Sequence, residues 1–195
     1  MHRIAIMPEK SGNTDCILTG EAQTPLGPMC IGATSEGICL GEFSNGRTLE
    51  EEFETLRRLF HCDVVPGNNS LLEQLRTELA EYFSGELTRF QVPLVYPGSV
   101  FQLAVWDALR IIPYGESLSY EALAHRLGKP MAVRAVGTAN GQNRIAILIP
   151  CHRVVNKNGQ LGGYGGGLWR KKALLELEQH VARKGGLQLT FAGFK

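Results

Sequence analysis

Covalent chemistry in this chain would begin at Cys151, which follows Pro150 and precedes His152. Only the thiolate form of a cysteine attacks an electrophile, so a reactive cysteine needs a nearby base or cation. An imidazole is such a base. Adjacent residues of an extended segment point in opposite directions, so direct contact between the two side chains does not follow from their adjacency. The motif is the pattern of a cysteine nucleophile with a histidine base.

The same residues also have ordinary structural explanations. An isolated cysteine is commonly a small buried hydrophobe, His152 taken alone fits a satisfied core histidine, and Glu178 taken alone fits a solvated carboxylate on the last helix. The cysteines are odd in number and form no CxxC pair, which argues against a disulfide framework; they are Cys16, Cys30, Cys39, Cys62 and Cys151. From these residues alone, a nucleophile and a structural thiol both remain open at position 151.

The elements around Cys151 predict a helix-turn-helix. Two short helices joined across a glycine-containing turn make this motif, and an Asn-Gly turn between apolar residues predicts a hairpin wing. The continuous apolar run before Cys151 is predicted to be buried. In chain order, the predicted elements are a helix over Ser99–Ile112, a helix from the N-cap Ser119 to Leu127, the turn Gly128–Pro130, a helix over Met131–Ala139, the run Ile145–Ile149, a hairpin from Val154 to Leu161 around Asn158-Gly159, a glycine-rich loop from Gly162 to Gly167, and a helix over Leu168–His180.

The first half of the chain predicts an α+β domain without a chemical motif. Strands are predicted over Met29–Ala33 and Ile38–Phe43, followed by two helices with capping-box signatures, Thr48 with Glu51 and Ser70 with Glu73, the second ending near Gly85. A Pro/Gly cluster over about 92–98 predicts a linker. The predicted fold is therefore an α+β N-terminal domain over 1–92 in a supporting role, and a mostly α, winged helix-turn-helix-like C-terminal domain over 98–195.

The charge distribution separates the two halves. Acidic residues outnumber basic ones two to one up to Pro97, and the ratio is inverted from Gly98 to His180. A basic half with a helix-turn-helix indicates that this half meets a polyanion such as DNA. The sequence has no apolar stretch of roughly 18 residues for a membrane helix and no signal-peptide core near Met1. We therefore expect a cytoplasmic protein, or a nuclear one in a eukaryote, without a membrane partner.

The segment from Ile149 to Val154, Ile-Pro-Cys-His-Arg-Val, resembles the active-site signature of the O6-methylguanine-DNA methyltransferase family. The full ordered set of matches is too specific to arise by chance. It comprises Pro113-Tyr114-Gly115-Glu116, Ser119-Tyr120, Arg134-Ala135-Val136-Gly137, Asn143, Gly163-Tyr164 and Glu178, with a weaker match at Thr24-Pro25-Leu26-Gly27.

The resemblance implies repair of double-stranded DNA by transfer of a methyl or other alkyl group from O6 of guanine to Cys151. It implies a relay in which Glu178 orients His152 and His152 takes the thiol proton through a water. The product, a thioether, has no carbonyl for water to attack, so each molecule acts once. Alkylated thymine, as O4-alkylthymine, is a second candidate substrate. The resemblance implies a monomer that needs no cofactor.

The resemblance also assigns roles in binding the base and the DNA. Tyr120 would bond a ring nitrogen of the base and Asn143 would organise the backbone before the active-site segment. Backbone groups of Cys151 and Val154, with the loop at Tyr164-Gly165, would read and enclose the guanine. Gly165 departs from the serine that is frequent in the family, so a hydroxyl donor is missing there.

The target nucleotide must leave the duplex stack before a buried thiol can reach it. Arg134 would hold the vacated stack, because a guanidinium is planar, charged and able to stack on bases. Small residues beside it, Ala135 and Gly137, would let the helix approach the minor groove closely. Arg144, Arg170, Lys171 and Lys172 are interpreted as generic backbone contacts or solvated charge, and Arg153 as structural.

A metal site is not expected. Some family members bind zinc in the first domain, but the position that matches one of their cysteines is Thr34 here. The remaining Cys and His residues of that half, Cys16, Cys30, Cys39, His61 and Cys62, make no convincing quartet.

Three other functions are compatible with parts of the sequence. A lesion-binding module without catalysis would lack the acceptor cysteine, which is present here. A cysteine hydrolase using Cys151, His152 and Glu178 would turn over many times and has no need of a helix-turn-helix or a basic half. A winged-helix regulator without catalysis remains as a further alternative.

Overall fold

A four-stranded sheet forms the first half of the chain in the computed structural model, which describes residues 16–44 and 49–184. The strands are β1 (Ile17–Ala22), β2 (Met29–Ala33), β3 (Ile38–Phe43) and β4 (Val64–Pro66), in the spatial order β3-β2-β1-β4. β2 pairs antiparallel with both β1 and β3, and β4 pairs parallel with β1. β2 and β3 are the predicted strands. β1 and β4 were not predicted, because three successive non-apolar residues, Thr19, Gly20 and Glu21, interrupt β1 and β4 has only three residues.

Two helices complete this half, α1 (Leu49–Phe60) and α2 (Ser70–Ser84). The N-cap of α2 is Asn69, whose side chain accepts a hydrogen bond from the Leu72 backbone N–H, so the predicted capping box at Ser70 is wrong by one residue. Asn is as good an N-cap as Ser. Gly85 ends the helix in the left-handed conformation, as predicted. The Thr48 cap predicted for α1 lies outside the described residues.

The stretch predicted as a linker pairs with β3. The Ile38 N–H donates to Pro93 O at 2.8 Å and the Val95 N–H donates to Ile38 O at 2.9 Å. Farther along β3, the Gly41 N–H donates to Arg144 O at 2.8 Å, and Gly41 O accepts from the Ala146 N–H at 2.7 Å. The edge of β3 thereby holds the chain that leads to Cys151, while the division into domains at 92–98 stays a prediction.

The second half is mostly helical. The first helix of this half begins at Val100, one residue later than predicted, because Ser99 is its N-cap. Ser99 and Gln102 form a reciprocal capping box there. A 3-10 turn over Pro130–Ala132 separates the two helices of the helix-turn-helix, so the second helix begins later than predicted. The elements are α3 (Val100–Arg110), β5 (Leu118–Ser119), α4 (Tyr120–Arg126), α5 (Val133–Gly141), a 3-10 turn over Cys151–Arg153, β6 (Val154–Val155) and α6 (Leu168–Lys184).

The predicted hairpin wing does not form as a strand pair. β6 pairs parallel with β5 instead, and the Asn-Gly turn is closed by the Asn156 N–H donating to Gln160 O at 2.9 Å. Gly159 occupies the left-handed region that such a turn requires. The reason is that Leu161 is followed at once by glycines, which offer no side chains to pack as a second strand.

One hydrophobic cluster includes residues of both halves of the chain. Tyr82 of α2, Trp106 of α3 and Leu174 of α6 are all buried in it, and the Trp106 indole N–H donates to Ala139 O at 2.9 Å. Through this packing, Tyr82 of α2 reaches Glu178, the partner of His152. Within the described ranges, none of the helices has the length and apolar character that a membrane span would need.

Candidate active site

Two tight turns deliver Cys151 to its position. The Leu148 N–H donates to Ala146 O at 2.9 Å, and the intervening Ile147 has a φ of 73°. A β-branched residue in that region is strained, and such strain persists only where the surroundings enforce it. The Cys151 N–H donates to Ile149 O at 2.8 Å across Pro150. The apolar run Ile145–Ile149 is buried, as predicted. Its side chains anchor this bent backbone in the core.

Asn143 holds these turns together and contacts the sulfur. Its Nδ2 donates to Ile149 O at 2.8 Å and to Cys151 Sγ at 3.1 Å, while its Oδ1 accepts from the Ile145 N–H at 3.0 Å. One buried amide thus fixes the backbone on both sides of the turn and directs a donor at the nucleophile. A donor on a sulfur favours its anionic form. This geometry is what the organising role expected of Asn143 requires.

His152, the residue after Cys151, forms a fully buried pair with Glu178. His152 Nε2 lies 2.9 Å from Glu178 Oε1, whereas His152 Nδ1 is buried without a hydrogen-bond partner in the described part of the chain. The carboxylate thus fixes the orientation of the imidazole and leaves its other nitrogen available to a proton donor. No direct hydrogen bond joins Cys151 to His152 among the contacts of the described residues, in keeping with the expected water bridge.

Glu178 accepts hydrogen bonds from four residues. Besides His152, they are Arg153 through Nε at 2.8 Å and Nη2 at 2.9 Å, the Tyr82 hydroxyl at 2.7 Å, and the Gly115 N–H at 3.1 Å. Burial by itself raises the pKa of Glu178, but His152 and Arg153 outweigh it and hold the pKa at about 2. The carboxylate is therefore ionised throughout the physiological range. Arg153, interpreted as structural from the sequence, clamps the relay.

The resting thiol is neutral. Burial raises the pKa of Cys151 to about 11, and the Asn143 hydrogen bond and the Lys171 charge offset only part of that rise. Burial also lowers the pKa of His152 below its usual value, against the opposing effect of Glu178. His152 is therefore neutral and competent as a base at pH 7. Thiolate must be generated during the reaction rather than stored.

Cys151 opens into a small pocket lined by both halves of the chain. Glu42 of β3 and Asn140 of α5 face it together with Asn143 and the glycine-rich loop; the other lining residues are Gly141, Ala146, Gly163, Tyr164, Gly165 and Gly166. The hydroxyl of Tyr164 and the Oδ1 of Asn140 are buried without hydrogen-bond partners among the described residues. A side chain on Gly165 would face Glu42, since an added Cβ would lie 4.0 Å from Glu42 Oε2.

Tyr120 lies beside the pocket rather than in its lining. The ring packs against Gly162 so closely that a Cβ there would be 2.6 Å from Tyr120 Cε2. Gly162 is therefore needed for the loop to approach α4. Burial raises the pKa of Tyr120, with a further contribution from Cys151, so its hydroxyl is a neutral donor near the sulfur.

The exposed face of α5 carries the residues expected to meet DNA. Arg134 and Ala135 are exposed and Gly137 is half-buried. The Arg134 side chain extends from the helix surface, while its carbonyl accepts from the Thr138 hydroxyl at 3.1 Å. A Cβ added at Gly137 would lie 3.9 Å from the Tyr120 ring. Apart from the Arg134 guanidinium, the side chains described on this face are small.

Two cations interpreted as generic DNA contacts are buried instead. Arg170 donates to Leu26 O at 2.8 Å and to Gly166 O at 2.7 Å, and its guanidinium lies between the rings of Phe43 and Trp169. Lys171 is fully buried and donates to three carbonyl oxygens, those of Val154, Gly162 and Gly163. Burial lowers the pKa of Lys171 to about 8. Both side chains attach the glycine-rich loop to the core because its carbonyls need donors.

Of the other two cations of that group, Arg144 is partly buried and Lys172 is exposed. Arg144 pairs with buried Glu52 at 3.2 Å, so its charge is committed within the protein. Lys172 is exposed and lies 3.7 Å from Glu176 of the same helix.

The described residues contain no group of three or more His, Cys, Asp or Glu side chains that could hold a metal ion. The cysteines of the first half, Cys16, Cys30, Cys39 and Cys62, form no disulfide bond within the described residues. Burial raises the pKa of Cys39 to about 12, which makes it unreactive.

Sequence reasoning missed Tyr82, Glu42 and Asn140. Tyr82 and Glu42 belong to the half that was assigned a supporting role, and their side chains reach the site only because β3 and α2 pack against the second half. No local sequence pattern marks them. Asn140 directly follows the predicted helix Met131–Ala139. Its place on the same segment as Arg134 was the one sequence feature that could have indicated a role.

We predict that acid destabilises the fold through this buried pair. A carboxylate whose pKa is lowered from 4.5 to about 2 contributes about 3 kcal/mol above pH 4.5, lost as the pH falls toward 2. A histidine with a lowered pKa acts in the same direction, because the unfolded chain binds its proton first as the pH falls below 6.5. Urea unfolding measured from pH 7 to pH 3 should show this loss, and Glu178→Gln should remove most of the dependence below pH 4.5.

The matched control is Glu176→Gln, on the exposed face of the same helix. It should leave the pH dependence unchanged. A Glu178→Gln protein with the wild-type acid profile would contradict the assignment.

Comparison with known proteins identifies relatives for both halves. The model of the 6-O-methylguanine DNA methyltransferase ribonuclease-like domain matches residues 17–96, and that of the 6-O-methylguanine DNA methyltransferase DNA-binding domain matches residues 100–180. A methylated-DNA–protein-cysteine methyltransferase of Mycobacterium bovis is 48% identical over 160 residues, covering 82% of this chain and 90% of its own length. An inducible one of Bacillus subtilis is 45% identical over 152 residues, covering 78% and 84%.

Solved structures agree with this relationship. A crystal structure of Mycobacterium tuberculosis OGT in complex with DNA superimposes with a TM-score of 0.71 at 40% identity, covering 85% of this chain and 94% of that chain. A crystal structure of the same organism's O6-methylguanine methyltransferase gives a TM-score of 0.69 at 43% identity, covering 84% and 93%.

Proposed function

This chain belongs to the 6-O-methylguanine DNA methyltransferase family, which repairs DNA by alkyl transfer to a protein cysteine, and we propose that Cys151 is the acceptor. The observation that carries the assignment is the Asn143 Nδ2 donor at 3.1 Å from Cys151 Sγ, beside the buried His152–Glu178 pair. Cys30 and Cys39 are buried in the sheet. Cys151 lines a pocket in which polar side chains converge.

The reaction begins with removal of the thiol proton. His152 Nδ1 takes it through a water, and Glu178 stabilises the imidazolium that forms. The sulfur lone pair forms the S–C bond as the bond between the alkyl carbon and guanine O6 breaks, and that electron pair stays on the guanine. The proton taken from the thiol passes to the guanine, which is restored as a neutral base within the DNA. Asn143 stabilises the charge on sulfur, and Tyr120 donates to the base as charge develops there.

Each molecule reacts once. The product is a thioether, and its carbon has neither an electrophilic carbonyl nor a good leaving group. The described residues around Cys151 include no second thiol to displace it, since the remaining described cysteines lie in the first half. The alkylated protein is therefore the final product, and no cofactor takes part.

The substrate is double-stranded DNA that contains O6-alkylguanine, with O4-alkylthymine as a second candidate, and the protein acts as a monomer. Support comes from the DNA complex of the M. tuberculosis relative and from the exposed face of α5. Because the pocket is recessed, the nucleotide must be extruded to reach the thiol. Arg134 fills the vacated position, and Ala135 and Gly137 allow α5 to approach the minor groove closely. The cytoplasmic location stays a prediction.

We expect Arg134→Ala to slow repair of duplex DNA by roughly 10- to 100-fold, because an inserted side chain offsets a few kcal/mol of unstacking. Reaction with the free base O6-benzylguanine, which needs no extrusion, should change less than about twofold. Single-turnover rates with both substrates measure the two effects.

Arg126→Ala, which removes a cation from α4 of the same motif, is the matched control. If Arg134 acted only as a charge, both variants would show the same modest loss on duplex DNA. An Arg134→Ala protein that loses as much rate with the free base as with the duplex would remove the stacking role.

The proposed function is tested by stoichiometry. Incubation of excess oligonucleotide carrying a radiolabelled O6-methyl group should transfer label to protein until the labelled fraction equals the amount of active protein, and then stop. A cysteine hydrolase would continue to form product, and a lesion-binding module would retain the oligonucleotide without labelling. Either result would exclude the acceptor function.

A further inference from the structure

A buried ion pair joins the first half of the chain to the segment that leads to the nucleophile. Glu52, in the first turn of α1, is 4% exposed, and its Oε2 lies 3.2 Å from Arg144 Nε. The proposed reaction uses neither side chain. Taking two charges out of water costs solvation free energy, which their attraction offsets only in good geometry. A buried pair is therefore weak evidence for stability alone, and what it holds in place matters more.

The pair lies next to the residue that contacts the sulfur. Arg144 directly follows Asn143, whose amide donates to Cys151 Sγ at 3.1 Å. On the α5 side, the Asn143 N–H makes a long hydrogen bond of 3.3 Å to Asn140 O. On the other side, the Arg144 carbonyl accepts from the Gly41 N–H at 2.8 Å. The direction of the Asn143 amide thus depends on how firmly Arg144 is held.

A cavity lies between α1 and the segment that follows α5. Its lining includes side chains of α1 and residues of that segment, which are Leu56, Leu59 and Phe60, and Asn143, Arg144 and Ile145. Protein interiors are close-packed, so unfilled space beside a segment leaves it room to shift. Glu52 supplies a directed contact between α1 and Arg144. Without that contact, Arg144 and the adjoining Asn143 can move toward the cavity.

We propose that Glu52 is a positioning residue for alkyl transfer: by binding Arg144, it fixes the backbone from which Asn143 directs its donor at the sulfur. This inference rests on the proposed function and gives the first half of the chain a part in the chemistry. Glu52 is not among the described residues that line the Cys151 pocket, so it acts through the segment it holds. Small displacements of a group at the reacting atoms are enough to slow a reaction.

The test measures single-turnover transfer by Glu52→Gln, which keeps the side-chain volume and removes the charge. Its rate constant should be roughly tenfold lower than that of wild type, with methylated duplex and with free O6-benzylguanine alike, because a misdirected Asn143 slows the sulfur chemistry itself. The final extent of transfer should stay at the wild-type value. A merely structural role would lower the extent through unfolding and leave the rate constant of the folded molecules unchanged, which would overturn the proposal.

Glu50→Gln is the matched control, since it removes the same charge from an exposed position in the same turn of α1. It should transfer at the wild-type rate. An equal loss of rate in Glu50→Gln would show that the charge at the start of the helix matters rather than the contact with Arg144, and would overturn the proposal.

A double variant tests whether the effect passes through Asn143. In an Asn143→Ala background, Glu52→Gln should slow transfer by less than about twofold, because the group that it positions is already gone. A full further tenfold loss would show that the two residues act independently, and the proposal would fail.

A second pair of substitutions covers the case in which Glu52→Gln does not fold. Glu52→Leu combined with Arg144→Met removes both charges together, which protein interiors tolerate better than the loss of one partner. This protein should show the same loss of rate at full extent, and a wild-type rate in it would overturn the proposal. Failure of the wild-type protein to accept an alkyl group would instead overturn the proposed function.

Discussion

Cys151→Ala is expected to abolish methyl transfer from DNA while leaving affinity for duplex DNA within about twofold of wild type. The reason for the first effect is that the bond to the alkyl carbon forms at Sγ, and alanine has no nucleophile. The reason for the second is that Cys151 is buried at the end of the pocket, away from the exposed face of α5. A substitution that does not alter this face is expected to change the free energy of DNA binding little. Labelled-methyl transfer and fluorescence anisotropy measure the two properties.

Cys16→Ala is the matched control, because Cys16 is a free, partly exposed thiol of the sheet half. It should transfer methyl at the wild-type rate. Residual stoichiometric transfer in Cys151→Ala would show that another thiol accepts the group, and loss of DNA affinity in the same variant would show that the substitution had disturbed the fold.

The second large effect is expected for His152→Gln, which should lower the transfer rate by roughly 10²- to 10⁴-fold, the usual contribution of a general base. The resting thiol has a pKa of about 11, so little thiolate exists at pH 7 without a base. Gln can still donate to Glu178, which preserves the buried hydrogen bond at 2.9 Å. Single-turnover kinetics with methylated duplex measures the loss.

The pH profile separates a base from a structural residue. His152 is neutral at pH 7 because burial lowers its pKa, so the wild-type rate should fall only as the pH drops below the usual range of histidine. In His152→Gln the rate should rise continuously with pH toward the pKa of the thiol, since hydroxide then removes the proton. His125→Gln, an exposed histidine of α4, should keep the wild-type profile. A His152→Gln protein with that profile would show that His152 does not take the proton.

The sequence was most informative where function depends on neighbouring residues. The Ile149–Val154 motif identified the cysteine-histidine pair, and the turn chemistry around Gly128 gave both helices of the DNA-binding motif. Local signals of this kind are read directly from spacing. The strands β2 and β3 were predicted for the same reason, because short, mostly apolar runs between turn signals form buried strands.

Features that depend on packing between distant segments could not be predicted. The hydrogen bond of Tyr82 to Glu178 joins residues far apart in sequence, and the pairing of Gly41 with Ile145 brings Glu42 to the pocket. Lys171 looked like a solvated cation because a sequence does not show which carbonyls lack donors. The motif also does not reveal that the resting thiol is neutral, since its pKa is set mainly by the extent of burial.

The central claim is that one sulfur atom captures the alkyl carbon and keeps it. Intact-mass analysis of the protein after incubation with methylated duplex, followed by peptide mapping, tests this most directly. We predict a gain of one methylene unit per molecule, located entirely on the peptide that contains Cys151, with no loss of the added mass on prolonged incubation. Repair of the oligonucleotide with that peptide unmodified would contradict the account.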